Sequence, residues 1–103
     1  MQIDELLRLA TKKGASDLHL VVGQRPIIRV NGVLTPLEKT TVITPTEMQD
    51  SVFSIISQEQ KQKFLAEKEM DVSYEIKNLA RFRINFHLSF LEFQNHPLKL
   101  LFS

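Results

Sequence analysis

Apolar positions near the start of the chain follow a helical spacing. In "MQIDELLRLATKKG" the residues with this spacing are Ile3, Leu6, Leu7 and Ala10. Acidic side chains precede most of them and two lysines follow, which complements the helix dipole. Gly14 comes directly after the lysines, as is typical at the end of a helix. The stretch therefore predicts an N-terminal helix with one buried face.

The next segments switch to the alternation of β-strands. In "SDLHLVV" the positions predicted to be buried are Leu18, Leu20 and Val22. Asp17 and His19 then share the other face. Further on, "RPIIRVNGVLTPL" has β-branched residues on both sides of Asn31 and Gly32. This pair readily adopts the positive φ angles of a two-residue turn, so the segment predicts a hairpin.

Two successive helices are predicted in the middle of the chain, each from a capping box. Thr44 begins the first, with Pro45 at its first position and Glu47 three residues after the cap. The apolar stripe of this helix consists of Met48, Val52, Ile55 and Ile56. Ser57 and Gln60 form the second box. It opens a surface helix whose docking stripe is limited to Phe64 and Leu65.

A second hairpin follows these helices, with its turn at Lys77 and Asn78. The positions predicted to be buried are Val72, Tyr74 and Ile76 in "DVSYEI" and Ala80, Phe82, Ile84 and Phe86 in "ARFRINF". Arg81, Arg83 and Asn85 therefore line the opposite face. The order of elements predicts an α+β domain with a mostly antiparallel sheet, an N-terminal helix and a central helix pair.

The composition fits one small globular domain. The chain has 103 residues, 43% of them hydrophobic, and a net charge of +1, which gives no broad attraction to nucleic acid or anionic lipid. It has no cysteine, which excludes disulfides and thiolate sites and is compatible with the cytoplasm. We expect no membrane span and no signal peptide. The three histidines, His19, His87 and His96, lack metal-ligand spacing, so no metal site is expected.

Four segments together resemble a known family. They are "ASDLHL", "RPIIRVNGVLTPL", "DVSYEI" and "ARFRINF", in this order between residues 1 and 86. The combination resembles the N-terminal domain of the PilT-type twitching-motility ATPases, the type IV pilus retraction motors of the secretion ATPase superfamily. The resemblance implies a PAS-like domain over residues 1–86. In the full motor this domain packs on the ATPase core of a neighbouring subunit in a hexameric ring, which works with the pilus machinery.

The resemblance also implies a role for Arg81 and Arg83. The family's arginines on the matching strand reach toward the phosphates of nucleotide bound to the neighbouring core. That core binds ATP and Mg²⁺ in the full-length family, whereas no cofactor is expected in this chain. Guanidinium groups keep their charge and present fixed donors, which suits stabilising a transferring phosphoryl group. From spacing alone, the alternative is a solvated face where the arginines pair with Asp71, Glu75 or Glu69, at about 0.5 kcal/mol each.

The resemblance ends at about residue 86. The tail "HLSFLEFQNHPLKLLFS", residues 87–103, is apolar in clumps, and we expect either a final strand or a frameshifted end. ATP hydrolysis by this family needs a GxxxxGK[ST] loop, but the glycines are Gly14, Gly23 and Gly32 and none precedes a lysine. We therefore expect a truncated chain without catalytic residues: a fragment, a frameshifted product or a domain acting in trans.

Three further alternatives stay open. A free-standing PAS-like module would bind an anionic ligand or a protein partner on the face of Arg81, Arg83 and Asn85. An enclosed pocket would favour this module, whereas a flat, open sheet face would favour the motor domain. Asp17 and His19 are better explained as a hydrogen-bonded structural pair than as an acid–base dyad, since no nucleophile lies near them in sequence. Without the family's last strand, the strand of Arg83 becomes an edge open to self-association, unless the tail replaces that strand.

Overall fold

The computed structural model describes residues 2–88 and 98–102 of the chain. Within these ranges there are three helices and six strands. The helices are α1 (Ile3–Lys12), α2 (Pro45–Ile55) and α3 (Gln58–Glu67). The strands are β1 (Asp17–Val21), β2 (Ile27–Val30), β3 (Val33–Pro36), β4 (Glu69–Ile76), β5 (Ala80–Leu88) and β6 (Leu98–Phe102). The α+β class and the predicted order of elements are confirmed.

All described strands belong to one antiparallel sheet, in the order β3-β2-β1-β6-β5-β4. The strand from the predicted tail, β6, lies between β1 and β5, with Leu100 opposite both Leu20 and Phe86. The strand of the two arginines is therefore paired on both sides, and the tail does supply its neighbour. Within the described ranges the edges of the sheet are β3 and β4. The rest of the tail, residues 89–97 and 103, lies outside the described residues.

The two predicted hairpin turns are confirmed. Asn31 and Gly32 have φ angles of 51° and 80°, and they connect β2 to β3 with Val30 opposite Val33. Both turn residues are in the left-handed region, which asparagine and glycine tolerate better than other residues. In the turn between β4 and β5, Asn78 has a φ angle of 64°. These tight turns fix the register of each hairpin, and hence which side chains share a face.

Both capping boxes form as predicted. At the start of α2 the hydroxyl of Thr44 accepts a hydrogen bond from the Glu47 N–H at 3.2 Å, and the Glu47 carboxylate accepts one from the Thr44 N–H at 3.2 Å. At the start of α3, Ser57 and Gln60 exchange the corresponding bonds at 3.1 and 2.9 Å. The bonds from the backbone and side chain of Thr44 hold the pKa of Glu47 below its ordinary value. Each box satisfies two N–H groups that a helix start leaves without partners.

The core lies between the helices and one face of the sheet. Its buried side chains are Ile3, Leu6, Leu7, Ala10, Leu18, Leu20, Ile28, Leu37, Ile43, Met48, Val52, Phe64, Met70, Ile76, Ile84 and Phe86. The rings of Phe64 and Phe86 meet at 5.8 Å between centroids, which joins α3 to β5. A further contact joins α1 to β4, where the hydroxyl of Tyr74 donates a hydrogen bond to the carboxylate of Asp4.

Some predicted core positions are wrong or only partly buried. Ala80 is exposed, because it directly follows the turn at the end of the hairpin. Leu65 is 49% exposed, since Phe64 alone fills the contact of α3 with the sheet. Val72, Tyr74 and Phe82 are half-buried beside the core.

Candidate functional site

The face of the sheet opposite the helices, here called the open face, is lined by polar side chains. On β4 and β5 they are Glu69, Asp71, Ser73, Glu75, Arg81, Arg83, Asn85 and His87. Their placement follows from the two-residue period of a strand, because the alternate positions of the same strands supply the core. The charged and polar side chains of the two strands of this hairpin therefore lie together on the open face.

Arg81 and Arg83 stand beside each other on the open face. Their side chains are 69% and 76% exposed, as the sequence pattern predicted for this face. Positions two apart on a strand are separated by about 6.8 Å, so the two guanidinium groups point to the same side within reach of one polyphosphate chain. They are the most prominent pair of fixed positive charges on this hairpin.

The ion pairs of these arginines are loose. Arg81 Nη2 lies 3.6 Å from the Glu75 carboxylate, and Arg83 Nη2 lies 4.0 Å from that of Asp71. The third predicted acidic partner, Glu69, lies 4.0 Å from His87 instead. Exposed pairs of this kind contribute about 0.5 kcal/mol each. Both arginines can therefore leave their partners at little cost when a stronger anion is presented.

A shallow depression of about 520 Å³ surrounds the arginine pair. It is lined by Asp71, Val72, Ser73, Arg81, Phe82 and Arg83. Sequence reasoning missed Ser73, whose hydroxyl adds a neutral donor to the site. The register of the predicted hairpin could have identified this residue, since Ser73 lies directly opposite Arg83. The depression can accommodate an anion on an open surface; it does not enclose a small ligand.

The other polar pair from the sequence is not brought together. Asp17 accepts a hydrogen bond from the Ser16 hydroxyl at 3.0 Å and pairs with Arg29 Nε at 3.1 Å. His19 Nε2 is buried and has no hydrogen-bond partner among the described residues. The predicted bond between Asp17 and His19 is therefore wrong, because the register of β1 and β2 sets Arg29 opposite Asp17.

The described part of the chain has neither a converging cluster of metal ligands nor a membrane-spanning helix. In residues 2–88 and 98–102, no three His, Asp or Glu side chains converge as metal ligands would. Among the helices described there, none is long and apolar enough to span a lipid bilayer.

Two sequence relatives come from Pseudomonas aeruginosa. The type IV pilus retraction ATPase PilT is 40% identical over 90 residues, which cover 82% of this chain and 24% of the relative. The type IV pilus ATPase PilU is 31% identical over 85 residues, which cover 82% of this chain and 22% of the relative. No family profile matches the chain. The chain thus spans about a quarter of the length of these relatives.

Solved structures agree with the sequence comparison. A crystal structure of the pilus retraction motor PilT with bound ADP superposes with a TM-score of 0.83 at 28% identity, over 100% of this chain and 29% of the motor. The ATPase DotB of Legionella pneumophila superposes with a TM-score of 0.81 at 25% identity, over 98% of this chain and 27% of DotB. The chain is therefore homologous to a part of the PilT-type pilus retraction ATPases of the secretion ATPase superfamily, and it has the fold of their N-terminal domain.

Proposed function

We propose that this chain is the non-catalytic N-terminal domain of a type IV pilus retraction ATPase. Its work is to pack on a neighbouring subunit in a hexameric ring and to supply Arg81 and Arg83 to nucleotide phosphates on that subunit. ATP and Mg²⁺ belong to the ATPase core, and the pilus machinery is the partner of the whole assembly in the cytoplasm. The kinship with PilT and PilU supports this function.

The observation that carries this function is the exposed arginine pair on the open face. Each side chain is more than two-thirds exposed and forms one loose ion pair with a described residue of β4. A guanidinium group stays protonated at any physiological pH and presents planar donors that match phosphate oxygens. Side chains with these properties can reach across a subunit interface, where the negative charge of the phosphates offsets the cost of removing water from the guanidinium groups.

The chemistry asked of these residues is electrostatic. Phosphoryl transfer spreads negative charge over the oxygens of the transferred group, and arginines supplied from a neighbouring chain stabilise that charge. Arg81 and Arg83 would donate hydrogen bonds to those oxygens. Ser73 and Asn85 lie beside them on the open face and keep the surroundings polar.

The alternative of a free-standing ligand-binding module has less support. Buried side chains form the core between the helices and the sheet. Two depressions beside α1, of about 350 Å³ next to residues 39–43 and about 120 Å³ next to β5, are both partly open to the surface and do not enclose a ligand. The depression at the arginines lies on the open face and is bounded by one hairpin. Such a surface suits contact with another protein subunit better than enclosure of a free ligand.

The decisive experiment uses a full-length PilT-type ATPase with glutamine at the positions matching Arg81 and Arg83. We expect the turnover number to fall by about 100-fold or more, because trans arginines act on the transition state. Nucleotide affinity and ring assembly, measured by fluorescent-nucleotide binding and light scattering, should stay close to those of the wild type.

A matched control places glutamine at the position that corresponds to Lys63, on the helix side of the domain. Turnover should be unchanged in this variant. Equal turnover in the arginine variant and the control would show that Arg81 and Arg83 are ordinary surface charges, and the function proposed here would be wrong.

A further inference from the structure

Two carboxylates on β4 face the two arginines of β5. Glu75 lies directly opposite Arg81 in the hairpin register, and their charged atoms are 3.6 Å apart. Asp71 lies diagonally across from Arg83, with 4.0 Å between the charged atoms. Each guanidinium group therefore has its own carboxylate before any phosphate arrives.

Asp71 is held in place independently of Arg83. Asn85, which lies directly opposite Asp71, donates a hydrogen bond from its side-chain amide to the carboxylate at 3.0 Å. This bond keeps the carboxylate beside the site when Arg83 turns toward another anion. Asp71 then remains as a fixed negative charge next to whatever Arg83 binds.

The carboxylates weaken the binding of free and of presented phosphates by the same factor, but the two kinds of phosphate meet this competition at different concentrations. A phosphate must displace a carboxylate from each guanidinium group, and it then remains close to the negative charge of that carboxylate. A free polyphosphate meets this competition at its concentration in solution, whereas nucleotide held by a neighbouring subunit is presented at an effective concentration of roughly millimolar or more. Weak competition is therefore enough to suppress the binding of a dilute free polyphosphate while permitting the binding of nucleotide on a neighbouring subunit.

We propose that Asp71 and Glu75 are competing counter-ions that regulate Arg81 and Arg83, which rests on the phosphate-binding role proposed above for the arginines. They keep the exposed pair from binding free polyphosphates and leave it available to nucleotide on a neighbouring subunit. Both carboxylates act through the guanidinium groups, so they are positioning residues and not catalytic ones.

The test titrates inorganic tripolyphosphate into the 103-residue chain at constant, low ionic strength. Binding is followed by the NMR signals of the arginine Nε–H groups. We expect the double variant D71N/E75Q to bind tripolyphosphate about fivefold more tightly than the wild type, the factor expected on releasing two exposed ion pairs. The variant R81Q/R83Q should lose this binding.

The matched control, D50N/E59Q, removes the same charge from α2 and α3 on the other side of the sheet. Its affinity should change by less than about twofold, because salt screens distant charges. The single variant E75Q leaves the bond between Asn85 and Asp71 intact and should bind about twofold more tightly. It decides the question even where D71N weakens the hairpin.

The outcomes separate the two proposals. Binding by R81Q/R83Q that equals the wild type would mean that the arginines do not hold phosphate, and both proposals would fall. Loss of binding in R81Q/R83Q, together with equal affinities for D71N/E75Q and D50N/E59Q, would overturn the counter-ion role alone.

Discussion

At the scale of single residues, Tyr74 reports on the contact between α1 and β4. Partial burial, together with the hydrogen bond to Asp4 and its negative charge, raises the pKa of Tyr74 from 10.0 to about 12. Because the folded-state value is the higher one, the contribution of Tyr74 to stability is full below pH 10.0 and is lost as the pH rises through about 12. Tyr74 is the single tyrosine of the chain, so tyrosinate absorbance should show this midpoint directly.

The variant Asp4→Asn checks the cause of this shift. It removes the charge but leaves the burial of Tyr74, so the midpoint should fall part of the way toward 10.0. Glu5→Gln, in the same turn of α1, serves as the control and should leave the midpoint unchanged. A folded wild-type chain that titrates at the ordinary tyrosine value would contradict the contact.

At the scale of elements, the first turn of α2 carries a pH-dependent cap. Glu47 has a pKa below 4.5 because it accepts hydrogen bonds from the backbone and side chain of Thr44. A lowered folded-state pKa stabilises the chain above the ordinary value and ceases to do so as the pH falls through the lowered one. Glu47→Gln should therefore unfold at lower urea concentration than the wild type at neutral pH, with the two curves converging in acid.

The second capping box provides the matched control. Ser57 and Gln60 form the same pair of bonds without an ionisable group. Replacing Gln60 with alanine should cost the same stability at every pH in the series. A constant difference between Glu47→Gln and the wild type across that range would show that the charge of Glu47 plays no part in the cap.

At the scale of the whole molecule, β6 joins two parts of the sheet. Leu100 lies opposite Leu20 on one side and Phe86 on the other, in the centre of the sheet. Proline at this position has no N–H to donate and does not fit a central strand. We expect Leu100→Pro to lower the free energy of unfolding by about 3 kcal/mol or more, measured by urea denaturation with circular dichroism.

Leu100→Val is the control for that variant, because it keeps the N–H group and a side chain favoured in strands. Its unfolding should remain a single cooperative transition close to that of the wild type. Equal stability of the proline and valine variants would mean that β6 is not a structural part of the sheet.

Local signals explain which elements could be predicted from the sequence. The turn at Asn31 and Gly32 and the box at Thr44 and Glu47 each depend on a few adjacent residues, so their chemistry can be recognised without the fold. The place of β6 depends on pairing with strands distant in sequence. A short apolar run does not indicate which strands it pairs with, and its sequence does not distinguish a central strand from an edge strand.

The candidate site likewise has features that local sequence predicts and features that it does not. The shared face of Arg81 and Arg83 follows from alternation, and their pairing with Glu75 and Asp71 from the hairpin turn. The pairing of Asp17 with Arg29 in place of His19 depends on how β1 and β2 align. That alignment is set by the hairpin partner of β2 and by the core beneath it, which adjacent residues do not reveal.

The central position of β6 also matters during synthesis on the ribosome. The hairpins β2–β3 and β4–β5 can pair as soon as they emerge, because each is local in sequence. The strands β1 and β5 must wait for residues 98–102 before the gap between them closes. Until then the nascent chain exposes two unsatisfied strand edges, the state in which aggregation competes with folding and chaperones act.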